Sequence, residues 1–113
     1  MENLYRVMIT PDAEKDLMDL YDYIYSHFMD DRTAASFTAK IENAILGLAY
    51  MPTRFSIVSF EPWKSLLLRH FTVNGYIVYY IVRDDLHSVF VMNVIYSKRD
   101  QLKALCNDRD LQM

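Results

Sequence analysis

The residues with most chemistry in them are Tyr96-Ser97-Lys98-Arg99-Asp100, which set a phenol, an ammonium and a guanidinium side by side where an apolar run ends. A tyrosine can transfer protons when neighbouring cations hold its pKa below the usual value of roughly 10. Lysine and arginine at such a place can grip a phosphate, the arginine through its planar fork. Arg69 lies on an earlier apolar run and can converge on the same edge. The plain structural alternative is a cap, with Arg99 paired to Asp100 or to an acidic helix residue and Tyr96 as an amphipathic rim residue. Arg83 beside Asp84-Asp85 is expected to be turn surface.

Other chemistries are poorly supplied. His27, His70 and His87 fall on three different expected elements, and no HxH, HExxH or CxxC spacing occurs, so no metal site is expected. With Gly47 and Gly75 as the two glycines, neither glycine-rich nucleotide motif can be written. Glu14, Asp16, Asp19 and Asp22 are expected to be a solvated helix face. Cys106 is the single cysteine, which rules out an intrachain disulfide and fits a reducing cytosol. The first ten residues lack a basic stretch followed by an apolar one, so no signal peptide is expected. No apolar run approaches the roughly 20 residues that span a bilayer, and a cytoplasmic location is the expectation.

The chain has 113 residues, 52% of them hydrophobic, enough for a single packed domain over 1–113, with 107–113 expected as a frayed tail. Its net charge is −3, with the first 63 residues at −5 and the remainder at +2. A general electrostatic binder of nucleic acid is basic overall. This chain is not one, although a local positive patch on its C-terminal half remains open.

The elements that must position these residues can be read in order. Tyr5 to Ile9 is a short strand. Thr10-Pro11-Asp12 is a helix start, with a capping hydroxyl, a proline suited to the first turn and an acid against the positive end of the dipole. Ala13, Leu17, Leu20, Tyr21, Ile24 and Phe28 keep helical spacing over about 11 to 28. After a break at Asp30-Asp31-Arg32-Thr33, Ala34, Phe37, Ile41, Ala44, Ile45 and Leu48 do so again, until Met51-Pro52 stops the helix near Tyr50. Such a short break favours a helical hairpin. Residues 52–64 read as irregular, and a strand is expected over about 65–73. Asn74-Gly75 is a strong hairpin signal, because both turn residues take positive φ. Beyond it, Tyr76, Val78, Tyr80 and Val82 alternate with Ile77, Tyr79 and Ile81, so both faces of that strand are apolar. A sheet with one wet face would alternate with polar residues; the second face therefore needs a cover, from the chain's end or from a partner. A strand over Val89–Tyr96 follows, then a possible short helix at about 98–106. The fold class is α+β, in the order β-α-α-β-β-β, with a helical hairpin on a mainly antiparallel sheet. Tyr23 and Tyr25 lie off the first helix's apolar face and are candidates for partner contact.

Ile9-Thr10-Pro11-Asp12-Ala13-Glu14-Lys15-Asp16-Leu17, Ile41-Glu42-Asn43-Ala44-Ile45, Leu48 with Met51-Pro52-Thr53-Arg54, Leu68-Arg69, Val73 through Tyr80, and Val94 through Asp100 stand in an order that resembles the RelE/ParE superfamily of type II toxin–antitoxin toxins. The resemblance spans about Leu4 to Leu105 and implies the same β-α-α-β-β-β layout. It implies a growth inhibitor neutralised by a cognate antitoxin, touching operator DNA only through that antitoxin and needing neither cofactor nor membrane. It implies two possible targets. One branch resembles ribosome-dependent mRNA endonucleases, metal-independent enzymes in which Arg69, Tyr96 and Arg99 would be catalytic. The other resembles DNA gyrase poisons, which act by binding and are not enzymes in that role. In either, Arg54, Arg69, Lys98 and Arg99 are the expected contacts to target or phosphate. Ile77 stands where the endonuclease branch commonly has an arginine, and Leu66, Leu67, Leu68 and Phe71 replace basic residues of its first hairpin strand. With a pI of about 5.5, these differences favour the gyrase-directed, ParE-like branch. An mRNA interferase, or a degenerate member that only binds antitoxin, are the alternatives.

Overall fold

The computed structural model describes residues 4–98 and Leu105. Its elements are β1 (Arg6–Ile9), α1 (Pro11–Phe28), α2 (Asp31–Leu46), β2 (Arg69–Val73), β3 (Tyr76–Arg83) and β4 (Ser88–Tyr96), with 3-10 turns at Gly47–Ala49, Pro52–Arg54 and Asp84–Leu86. The strands form one sheet in the order β1-β4-β3-β2. β1 runs parallel to β4, and the β2–β3 and β3–β4 pairs are antiparallel. This is the expected α+β arrangement.

Local chemistry explains the helix ends. The Thr10 hydroxyl accepts the Ala13 N–H at 3.3 Å and donates to the Val91 carbonyl at 2.8 Å, so one side chain both caps α1 and pins it to β4. α1 ends at Met29 in the left-handed region, φ 53°, and α2 restarts at once from the Asp30 cap, which accepts from Arg32 N–H and the Thr33 hydroxyl. Those two bonds hold the Asp30 carboxyl below the usual carboxylate range. Asn74 and Gly75 take φ of 52° and 80°, the turn expected between β2 and β3.

The core sits between the helical hairpin and one face of the sheet. Leu17, Leu20 and Ile24 of α1 and Ile41 and Ile45 of α2 pack on Phe71, Val78, Tyr80, Val89, Val91 and Val94. Asp16 departs from the solvated face assigned to it. Its carboxylate accepts the Val94 N–H at 2.9 Å, satisfying a donor on the margin of β4 beyond the end of β1.

Two expectations change on the far face. The strand expected from residue 65 begins at Arg69; Leu66 and Leu67 lie in a turn with Leu67 at φ 62°. The segment read as irregular is the cover the sheet needed. Val58, Trp63 and Leu68 pack on Tyr79 and Ile95, with Phe60, Ile77, Ile81 and Met92 at the margin. Leu105, from the chain's end, is buried with them. Of the two covers expected for the far face, the chain's end or a partner, the chain itself supplies most, through residues 58–68 and Leu105. The rest of the proposed helix at 98–106, and the tail at 107–113, lie outside the described residues.

Candidate functional site

The expected site residues divide between two ends of the molecule. At the first, where α2 gives way to the 3-10 turns, Arg54 and Arg69 meet. The Arg69 guanidinium donates from Nη1 to the carbonyls of Phe55 at 2.6 Å and Thr53 at 3.2 Å. Arg54 donates to the carbonyls of Tyr50, Met51 and Gly47, and lies 4.7 Å from the centre of the Phe55 ring. The buried Tyr80 hydroxyl donates to the Pro52 carbonyl at 2.6 Å. Burial pushes the Tyr80 phenol up to about 12 although Arg69 and Arg54 pull the other way. The loop over 50–55 is therefore held by two cations and a phenol, each bonded to backbone oxygens.

At the second end, β4 leaves the sheet beside the Asn74-Gly75 turn. Ser97 N–H donates to the Gly75 carbonyl at 2.9 Å, and Lys98 is exposed just beyond. Tyr96 pairs with Tyr76 across the ladder, their rings 5.4 Å apart. Phe37 of α2 meets Tyr76 edge-on at 6.2 Å. Tyr23, Ile24, Phe37, Asn74, Tyr76 and Tyr96 line an open recess of about 380 Å³. Burial first, and then the Tyr23 and Tyr96 phenols, raise the Tyr76 pKa above its ordinary value.

Arg69 and Tyr96 are not brought together. Arg69 pairs with Tyr80 on β3 while Tyr96 pairs with Tyr76, four residues away along that strand. With two strand spacings added, their Cα atoms are about 16 Å apart. The Arg69 guanidinium is tethered at its own end and Tyr96 packs on Tyr76 at the other. Arg99, the third member of the expected set, lies outside the described residues. Arg83 pairs with Asp85 at 2.7 Å, as turn surface should. Among the described residues no group of three His, Cys, Asp or Glu side chains could hold a metal ion, and no helix is long and apolar enough to cross a membrane.

Sequence reasoning missed the bowl formed by Tyr23, Phe37, Tyr76 and Tyr96. Counting pairs outward from Asn74-Gly75 places Tyr76 at the turn, but its partner on β4 depends on where β4 bulges. The register slips at Tyr79/Tyr80, so that Asn93 and Val91 face successive β3 residues and Met92 has no β3 partner.

The family described as the ParE toxin of type II toxin–antitoxin system, parDE, matches residues 7–101. Among solved structures, the fold is similar to that of the chromosomal ParDE toxin–antitoxin system from P. aeruginosa, with a TM-score of 0.68, 15% identity, 86% of this chain covered and 100% of that one. It is also similar to the toxin–antitoxin complex RelBE2 from Mycobacterium tuberculosis, with a TM-score of 0.57, 23% identity, and coverage of 82% and 91%. No curated protein matches in sequence. At such identities the structural likeness speaks for the fold, while the family match runs through both helices and all but the first residue of the sheet. The chain therefore belongs to the family of ParE toxins of type II toxin–antitoxin systems.

Proposed function

We propose that this toxin inhibits growth by binding DNA gyrase, that a cognate antitoxin restrains it, and that it does not cleave mRNA. The observation that carries the choice of target is the separation of Arg69 from Tyr96. Metal-free cleavage beside a 2′-hydroxyl needs a base, an acid and a phosphate clamp within hydrogen-bond reach of one phosphorus. Here Nη1 of Arg69 is tied to the Thr53 and Phe55 carbonyls, and the phenol proposed as acid or base lies at the other end of the sheet. An antitoxin partner is supported by the family and by the two similar structures, both from toxin–antitoxin systems.

The test is expression of the full chain without antitoxin, followed by two assays on the purified protein. Gyrase poisoning predicts accumulation of cleaved supercoiled DNA in the presence of gyrase and ATP, with mRNA left whole in a translating extract. Cut mRNA with unaffected gyrase overturns the proposal in favour of an interferase. Undiminished growth with neither activity overturns it in favour of a member that only binds antitoxin.

A further inference from the structure

Beside the tyrosine bowl lies a second cleft. This neighbour, about 400 Å³, is lined by Asp30, Arg32, Thr33, Ser36, Phe37, Lys40 and Asn74. Phe37 and Asn74 line both, and the Asn74 amide reaches the Phe37 carbonyl at 3.5 Å, so the hairpin turn and α2 meet at their common border. The two adjoining clefts, one aromatic and one cationic, together make up the candidate groove. Arg32, Ser36 and Lys40 follow one another at four-residue steps along α2, which puts Arg32 and Lys40 about 12 Å apart on one exposed face. Among the described residues neither cation has an ion-pair partner, whereas Lys15 and Arg83 do. The one acid lining the groove, Asp30, already spends its oxygens on Arg32 N–H and the Thr33 hydroxyl.

We propose that this groove docks one amphipathic acidic segment of the antitoxin, with a bulky apolar side chain in the bowl and carboxylates on Arg32 and Lys40. The inference rests on the antitoxin reading above and deepens it by naming the surface and the chemistry of the segment. Charge complementarity selects the occupant. The cationic end attracts acids, and the bowl is large enough for a leucine, phenylalanine or tryptophan anchor with solvent excluded around it. A single-stranded nucleic acid would also suit aromatic rings beside cations, but the protein's net charge of −3 opposes a polyanion. A second copy of the chain would bring its own Arg32 and Lys40 to a two-fold contact, like charge facing like.

The probe is the protein encoded by the reading frame adjacent to this one, co-expressed with the full toxin and titrated against it by fluorescence anisotropy. In the wild type, a complex with restored growth upholds the antitoxin reading. The inference then requires that Arg32→Glu/Lys40→Glu weaken the complex by about tenfold or more, that Tyr96→Ala do likewise, and that exchanging the probe's facing carboxylates for lysine restore binding to the double variant. Arg32 and Lys40 are both exposed, so the reversals are expected to fold, and at position 32 an acid also suits the positive end of the α2 dipole. A complex indifferent to both sets of changes overturns the groove and leaves the antitoxin reading intact. Absence of any complex or neutralisation in the wild type overturns both. Tighter binding of oligothymidylate than of the probe, or self-association abolished by Tyr96→Ala, overturns the choice of occupant.

Discussion

Arg69 is an invitation to misread a mutant. A cation on a toxin's sheet reads as a phosphate contact, yet both of its observed bonds go to backbone carbonyls of the loop it closes. Charge-assisted hydrogen bonds contribute roughly 1.5–3 kcal/mol, and removing the donor leaves the Phe55 carbonyl, part-buried, with no replacement. Arg69→Ala is expected to lower stability by about 2 kcal/mol, seen as a lower urea midpoint at unchanged slope. Lys98→Ala, at an exposed position, is expected to change it by no more than about 0.5 kcal/mol. A toxicity defect in the first variant at a temperature where it is partly unfolded therefore says nothing about catalysis. Tyrosines give a second expectation at this scale. Burial holds the Tyr79 phenol at about 12, as it does that of Tyr80, against about 10 in the unfolded chain. Raised folded-state pKa values mean that their contribution is complete below pH 10 and is lost as pH climbs from 10 to 12, where the unfolded chain gives up its protons first. Thermal midpoints should hold steady to about pH 9 and then fall. Tyr79→Phe keeps the ring and should flatten that alkaline decline; an unchanged decline would show that other groups govern it.

The elements show which signals travel along the chain and which do not. Thr10-Pro11, the periodicity of α1 and α2, the Asn74-Gly75 turn and the continuous apolar run of β3 were all legible, because each depends on residues within a few positions of one another. Met29 belongs to the same local class. It closes α1 at φ 53°, where an L side chain costs about 1–2 kcal/mol and glycine costs nothing sterically. Glycine loses more backbone freedom on folding, roughly 0.5–1 kcal/mol, so Met29→Gly should raise stability by up to about 1 kcal/mol. Differential scanning calorimetry would register this as a higher midpoint, and a lower one would mean the exposed methionine packs better than its place suggests. Long-range elements were illegible for a matching reason. Val58, Trp63 and Leu68 follow neither a helical nor a strand period, and their partners Tyr79, Ile95 and Leu105 are distant in the chain. The Arg69 contacts have backbone acceptors, which carry no residue type to read. Asp16 sits in a row of acids that differ in sequence position but not in kind, and only the margin of β4 beyond β1 distinguishes it.

For the whole molecule, the sheet has two apolar faces and the chain treats them differently from its groove. The helical hairpin seals one face, and residues 58–68 with Leu105 seal the other. The proposed docking groove lies at the end of the molecule where Tyr23 and Tyr96 are 63% and 46% exposed. On the proposal above, partner binding and self-covering use separate surfaces, and single substitutions can tell them apart. Trp63 is 7% exposed and packs over the far face. Trp63→Ala should cost about 3–5 kcal/mol, a large share of the roughly 5–15 kcal/mol available to a domain of this size. It should also uncover Tyr79, Ile77 and Ile95 and raise binding of an apolar dye in the folded baseline. Tyr96→Ala removes a half-exposed ring, so it should leave dye binding and the unfolding midpoint near those of the wild type while weakening the antitoxin complex. If the two variants exchanged behaviours, with the dye entering at Tyr96 and partner binding lost at Trp63, the docking surface would lie on the far face of the sheet. Segment 58–68 would then be a cover displaced on binding rather than a permanent layer.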